Sequence, residues 1–234
     1  MTLIEIHREM KRLADPAIAE HSQRFFKTGP GQYGEGDRFL GIRVPRVRQV
    51  AKQAQDLPLD QVAELLHSPW HEERLLAVII LTLQFKRGGP GQQKKIFDLY
   101  LASTAWINNW DLVDVSAHLV VGPWLQDRPR KLLRQLATSE SLWERRISMM
   151  ATYHFIRQDD FADTLAIAEI LLEDSHDLIH KIVGWMLREI GKRDQSVEEE
   201  FLQEHYRTMP RTMLRYAIEK FEEGLRQRYL KGEI

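Results

Sequence analysis

Apolar residues recur at i, i+3, i+4 and i+7 along nearly all of this 234-residue chain, and alternating runs are scarce. A chain so patterned buries its apolar surface as helix against helix. Asp15-Pro16 reads as the cap and opening of a helix running towards Lys27, followed by a loop over 28–41. Val44-Pro45 opens the next helix, residues 57–60 break it, and a short helix ends near His67. Ser68-Pro69 launches a strongly apolar helix over 70–85, and Gly88-Gly89-Pro90-Gly91 is a plain break. Further helices are predicted over 92–103, 109–121, 128–138, 141–157, 160–172, 176–191, 196–205 and 210–230, the last interrupted near Gly224.

These helices come in short-linked pairs. Taking Arg74, Asp114, Arg146 and Lys181 as equivalent points gives spacings of 40, 32 and 35 residues. Irregular periods of that size in an all-α chain fit a HEAT-like helical-repeat solenoid better than a globin-like or four-helix arrangement. A generic helical bundle is the alternative. In a solenoid the second helix of each pair lines a concave surface, where the four positions are expected to converge. The length suits one repeat domain over 1–234.

Composition excludes several classes. The chain has no cysteine, so disulfides, thiol catalysis and thiolate-held zinc or iron–sulfur centres are ruled out. No apolar run approaches the roughly 20 residues of a membrane span, and the amino terminus mixes charge into its apolar residues, unlike a signal peptide. A cytoplasmic location without membrane association is the expectation. The formal net charge of −1 hides local asymmetry. Arg38, Arg43, Arg46, Arg48 and Lys52 form a stretch with no acid, and Arg128, Arg130, Lys131 and Arg134 cluster again, as do Arg207, Arg211 and Arg215. Such patches on a neutral chain suggest one positive face, the bland alternative being solvated helix surface.

Three motifs on amphipathic helices carry candidate chemistry. Asn109-Trp110-Asp111-Leu112-Val113-Asp114 puts Trp110 and Asp114 one turn apart on one helix face. Gly184-Trp185-Met186-Leu187-Arg188 does the same for Trp185 and Arg188, and Trp143-Glu144-Arg145-Arg146 opens another apolar helix. A tryptophan on such a helix ordinarily packs in a core, and Asn109 and Asp111 read equally well as caps. Asp114 shifts the balance, because a buried unpaired carboxylate is costly and should face a cleft or an arginine, with Arg146 and Arg188 as candidates. Gly29-Pro30-Gly31-Gln32-Tyr33-Gly34 matches G-x-G-x-x-G, but helix precedes it, and Glu35 and Asp37 follow where phosphates would be repelled. It is expected to be an ordered turn or a partner-contacting loop. His176 and His180, with Asp177, have metal-ligand spacing but lack a further ligand nearby in sequence, which favours surface histidines.

Three segments resemble the AlkD-type DNA glycosylases, bacterial HEAT-like repeat proteins that excise alkylated purines. They are Phe39-Leu40-Gly41-Ile42-Arg43-Val44-Pro45, Trp110-Asp111-Leu112-Val113-Asp114, and Lys181-Ile182-Val183-Gly184-Trp185-Met186-Leu187-Arg188-Glu189. The resemblance covers most of the chain, and the third segment is the most specific. It implies that Trp110 and Trp185 contact the lesion nucleotide, that Asp114 is the catalytic carboxylate, and that Arg146 and Arg188 hold the backbone near the lesion. The loop over 28–37 looks like that of a sub-group of the superfamily.

The implied partner is double-stranded DNA containing alkylated bases, bound by a monomer associated with the bacterial nucleoid, with no cofactor and no metal. Alkylation at N3 of adenine or N7 of guanine makes the base cationic and labile. Asp114 would stabilise the oxocarbenium-like sugar as the base departs, and the indoles would favour a cationic base. Arg43, Arg46, Arg48 and Lys52 would add salt-sensitive DNA affinity. Where most glycosylases flip the base into a pocket, this family is implied to work without enclosing it. The rival expectation is a catalytically idle HEAT-like module that binds DNA or serves as a protein-interaction scaffold.

Overall fold

A computed structural model describes residues 1–234 and is all-helical, with sixteen α-helices, two short 3-10 turns and one isolated bridge between Arg38 and Trp70. Successive short helices pack side by side, the arrangement of a helical-repeat fold. The chain forms two compact units, Met1–Val120 and Val121–Ile234. No helix is long and apolar enough to cross a membrane.

In the first unit, α1 (Leu3–Leu13) is opened by a reciprocal Thr2–Glu5 capping box and buries Ile6 and Met10. Helix α2 (Pro16–Phe25) starts on the Asp15 carboxylate, which accepts from the amides of Ala17 and Ile18. Helices α3 (Val44–Gln53), α4 (Leu59–Leu66) and α6 (Pro90–Ala102) pack on α5 (His71–Arg87). That helix is apolar around nearly its whole circumference and buries most residues from His71 to Phe85, so it is the core of the unit. The short α7 (Trp110–Asp114) also packs on α5, and α8 (Ala117–Trp124) follows.

In the second unit, α13 (Asp177–Gly191) is the central element. Ile179, Ile182, Val183, Met186, Leu187 and Ile190 form its buried stripe. It packs on α10 (Leu142–Ala151), α11 (Tyr153–Ile156), α12 (Ala162–Leu171), α14 (Gln195–His205) and α15 (Arg211–Ala217). Gly184 allows the α15 contact, since a β-carbon there would lie 2.3 Å from the Met213 carbonyl oxygen. Helix α9 (Lys131–Ala137) packs on α10 and α12, and α16 (Glu223–Lys231) ends the chain.

Two helices predicted as continuous are divided, and in a third the interruption expected near Gly224 lies a few residues earlier. The stretch 109–121 breaks after Asp114, where the Ser116 hydroxyl turns back to the Leu112 carbonyl at 2.5 Å and pairs with the Tyr100 hydroxyl at 2.8 Å. The stretch 141–157 breaks at Thr152, whose hydroxyl bonds the Met149 carbonyl at 2.7 Å. In 210–230 the break lies at the 3-10 turn Ile218–Lys220 and Phe221, while Gly224 sits in the first turn of α16 behind a Glu222 cap.

Candidate functional site

Helix α7 carries Trp110 at its first residue and Asp114 at its last, both half-buried. The buried Asn109 caps the helix, its side-chain oxygen accepting from the Trp110 amide at 2.9 Å. The indole stacks on Phe26 at a centroid distance of 5.3 Å and an angle of 25°, and meets Phe25 edge-on at 6.0 Å. Phe26 stacks in turn on Phe39 at 5.1 Å. One end of this aromatic row is open, because Phe25 is 56% exposed. Asp114 bears on its surroundings as a negative charge: with burial, it raises the pKa of the Tyr100 hydroxyl.

Behind the aromatic row lies a buried charge cluster at the start of α5. His71 Nδ1 bonds Asp37 Oδ2 and Nε2 bonds Asp111 Oδ2, each at 2.8 Å, with the residue only 2% exposed. Burial alone would lower its pKa, but Asp111 and then Asp37 more than offset that and push it up to about 9. Arg74 Nη2 donates to Asp37 Oδ1 at 2.6 Å and Nη1 to the Ser68 carbonyl at 3.0 Å. Burial would raise the Asp37 pKa, yet His71 and Arg74 hold it below its ordinary value. Two cations thus face two carboxylates, a balance that makes their burial tolerable. Glu72 accepts from the amides of Leu40 (2.8 Å), Gly41 (2.8 Å) and Ile42 (3.1 Å), clamping the Phe39-Leu40-Gly41-Ile42 segment. Gly41 has φ +82°, and a β-carbon there would lie 2.0 Å from the Asp15 carbonyl oxygen. No other residue fits that turn.

A cavity of about 400 Å³ opens against Phe26, Phe39, His71 and Asp111, with His21 and Arg43 also on its wall. Arg43 immediately precedes α3, and Arg46, Arg48 and Lys52 follow along it, all four exposed. Arg46 bonds the neutral Gln49 at 3.0 Å, and none of the four pairs with a carboxylate. Arg48 and Lys52 lie one turn apart on one face.

The remaining sequence candidates lie in the second unit. Trp185 is half-buried, its Nε1 donates to Glu189 Oε1 at 3.0 Å, and its ring lies 6.5 Å from Tyr153. Glu189 also receives Lys192 at 2.6 Å, so the last residue of the Gly184–Glu189 motif orients its tryptophan. Arg188 is ion-paired with Glu219 and lies 3.7 Å from Glu189. Arg146 is only 4% exposed, and its Nη1 donates to the Leu178 carbonyl at 2.6 Å.

The segment Gly29–Gly34 is an ordered turn. The Gly29 amide donates to Gln32 Oε1 at 3.0 Å and the Gly31 amide to the Glu35 carboxylate at 2.8 Å, so side chains of the turn itself occupy these two donors. His176 caps α13 by accepting from the Leu178 amide, and His180 bonds the Asp174 carbonyl. No group of three or more His, Asp or Glu residues is placed to hold a metal ion.

Sequence reasoning missed His71, Asp37 and the ring row of Phe25, Phe26 and Phe39. One signal was available: the helix over 70–85 is strongly apolar yet begins His71-Glu72-Glu73-Arg74, four polar residues on a helix that otherwise reads as buried. All four are buried, each with a partner elsewhere in the chain.

Fold and site together define a helical-repeat protein with an acidic, indole-bearing helix and an uncompensated basic helix in the same unit. The chain belongs to the DNA alkylation repair enzyme family, whose sequence model matches residues 6–221. A solved structure described as a "predicted DNA alkylation repair enzyme from Enterococcus faecalis" shares the fold with a TM-score of 0.69. Its sequence identity is 16%, over 90% of this chain and 97% of that one. No curated protein sequence matches the chain.

Proposed function

We propose that this protein hydrolyses the N-glycosidic bond of cationic N3- or N7-alkylated purines in duplex DNA. The observation that carries the reading is the pairing of Trp110 and Asp114 on a single five-residue helix, with the indole fixed against Phe26. Membership of a DNA alkylation repair enzyme family supports the substrate class.

Alkylation leaves the base cationic, so it departs neutral while positive charge accumulates on deoxyribose. A carboxylate beside C1′ gains more attraction to that charge than to the ground state, and this difference lowers the barrier. Asp114 takes this role and orients the attacking water, whose proton it accepts as the C1′–O bond forms. Trp110 presents an aromatic face to the cationic lesion, an attraction of about 0.5–2 kcal/mol depending on solvation, and Trp185 is assigned the same task. Arg188 would exchange Glu219 for a phosphate, and Arg146 is assigned a backbone-holding role as well. Arg43, Arg46, Arg48 and Lys52 supply affinity independent of sequence.

The test is release of 7-methylguanine or 3-methyladenine from methylated duplex DNA, with and without a chelator. Chelator-insensitive release is expected. Tight duplex binding without release would favour an idle binding module, a reading to which the carboxylate partner of Arg188 lends some support.

A further inference from the structure

The motif that carries Trp110 and Asp114 forms a helix of only five residues. So short a helix has no stability of its own in water, and its orientation is set by tertiary contacts. Two of those contacts run through one side chain. His71 bonds Asp111, which lies between the indole and the proposed catalytic carboxylate, and its other nitrogen bonds Asp37 at the end of the 28–37 loop. Its ring lies 4.5 Å from Phe39 and 5.0 Å from Phe26, and Phe26 is the ring on which Trp110 stacks. His71 therefore reaches Trp110 by two routes, through Asp111 along the chain and through Phe26 across the aromatic row.

We propose that His71 is a positioning residue, clasped between Asp37 and Asp111, that fixes the Trp110–Asp114 helix against the 28–37 loop. The proposal rests on the reading of Asp114 as the catalytic carboxylate. A neutral imidazole has a single N–H and would leave either Asp37 Oδ2 or Asp111 Oδ2 facing a bare ring nitrogen, whereas the doubly protonated ring serves both oxygens. Its raised proton affinity agrees with that geometry. The charged and titratable neighbours are Asp37, Asp111 and, behind Asp37, Arg74. Glu72 on the same helix is turned to the backbone amides of residues 40–42, and His21 and Arg43 stand across the cavity. The tie also gives the 28–37 loop a task, since its last residue anchors the helix that bears the site.

The test is His71→Gln, which keeps one donor and removes the charge and the second tie. Single-turnover release of 7-methylguanine is expected to fall at least about tenfold, because small displacements of reacting groups have effects of that size. Affinity for the duplex should stay within about threefold, a loss confined to the bound chemical step. Wild-type release should fall above about pH 9 as His71 loses its proton, and His71→Gln should lack that alkaline limb. Two readouts need no activity. Nitrogen NMR of the free wild-type protein should show both ring nitrogens of His71 protonated at pH 7.5. Acrylamide quenching of Trp110, taken by difference from matched Trp110→Phe variants, should rise in His71→Gln. Unchanged release, or loss of release and affinity in equal measure with Trp110 quenching unchanged, would overturn the proposal. If the wild type releases no base, the glycosylase reading falls, and the NMR and quenching results alone decide whether His71 positions this helix. Should His71→Gln fail to fold, Asp111→Asn, which weakens one tie only, is read in the same way.

Discussion

The His71 clasp should make the protein lose stability as pH rises through the neutral-to-alkaline range. The ring has an ordinary pKa of 6.5 in the unfolded chain and about 9 in the folded one. A base whose folded value is raised contributes its full stability below pH 6.5 and loses it as pH climbs through about 9. At about 1.4 kcal/mol per pH unit, the clasp is worth about 3 kcal/mol at pH 6.5 and almost nothing at pH 10. A second group acts in the same window. Burial, with Glu199 nearby, raises Glu198 from 4.5 to about 9 despite Arg188, so the folded chain keeps a proton that the unfolded chain releases. The experiment therefore belongs in a Glu198→Gln background, which leaves His71 as the group whose raised pKa spans pH 6.5 to about 9. His154 and His176 are lowered by burial and take effect below pH 6.5, while Tyr229 is raised to about 12 and acts above the window. Urea unfolding at four pH values should show Glu198→Gln losing about 3 kcal/mol across that window, and Glu198→Gln/His71→Gln losing almost none. Parallel loss in the two variants would refute the assignment of the proton to His71.

Gly41→Ala should destabilise the protein by about 3 kcal/mol or more, read as a fall in melting temperature, because it combines positive-φ strain with a backbone clash. A loss under about 1 kcal/mol would mean that the 39–42 turn relaxes freely. Arg48→Gln and Lys52→Gln should each weaken binding to methylated and unmethylated duplexes alike. Each should also lower the slope of log affinity against log salt by about 0.9, the share of one phosphate contact. An unchanged slope would return these residues to ordinary solvated surface.

The helical class was legible because a 3.6-residue period and strong breakers such as Gly88-Gly89-Pro90-Gly91 are local properties. The breaks at Ser116 and Thr152 were not, since each depends on a hydroxyl turning to a carbonyl three or four residues back, an option that many uninterrupted helices leave unused. Trp110 and Asp114 could be singled out because i, i+4 spacing fixes them to one face before any tertiary contact forms. Asp111 reads from sequence as a helix cap, and its bond to His71 spans 40 residues. Asp37 lies 34 residues from the same ring, and Glu219 lies 31 from Arg188. No periodicity announces such pairs. The basic run on α3 was readable as charge, but only the folded chain shows that Arg43, Arg46, Arg48 and Lys52 have no carboxylate partners.

The most direct test of the account concerns the carboxylate at the end of α7. Asp114→Asn keeps the shape of the side chain and removes the charge that would meet the departing purine's sugar. Single-turnover base release from methylated duplex should fall by at least about a hundredfold, with duplex affinity retained or improved. Release at the wild-type rate by Asp114→Asn would contradict the account, because the negative charge at that position would then play no part in the reaction.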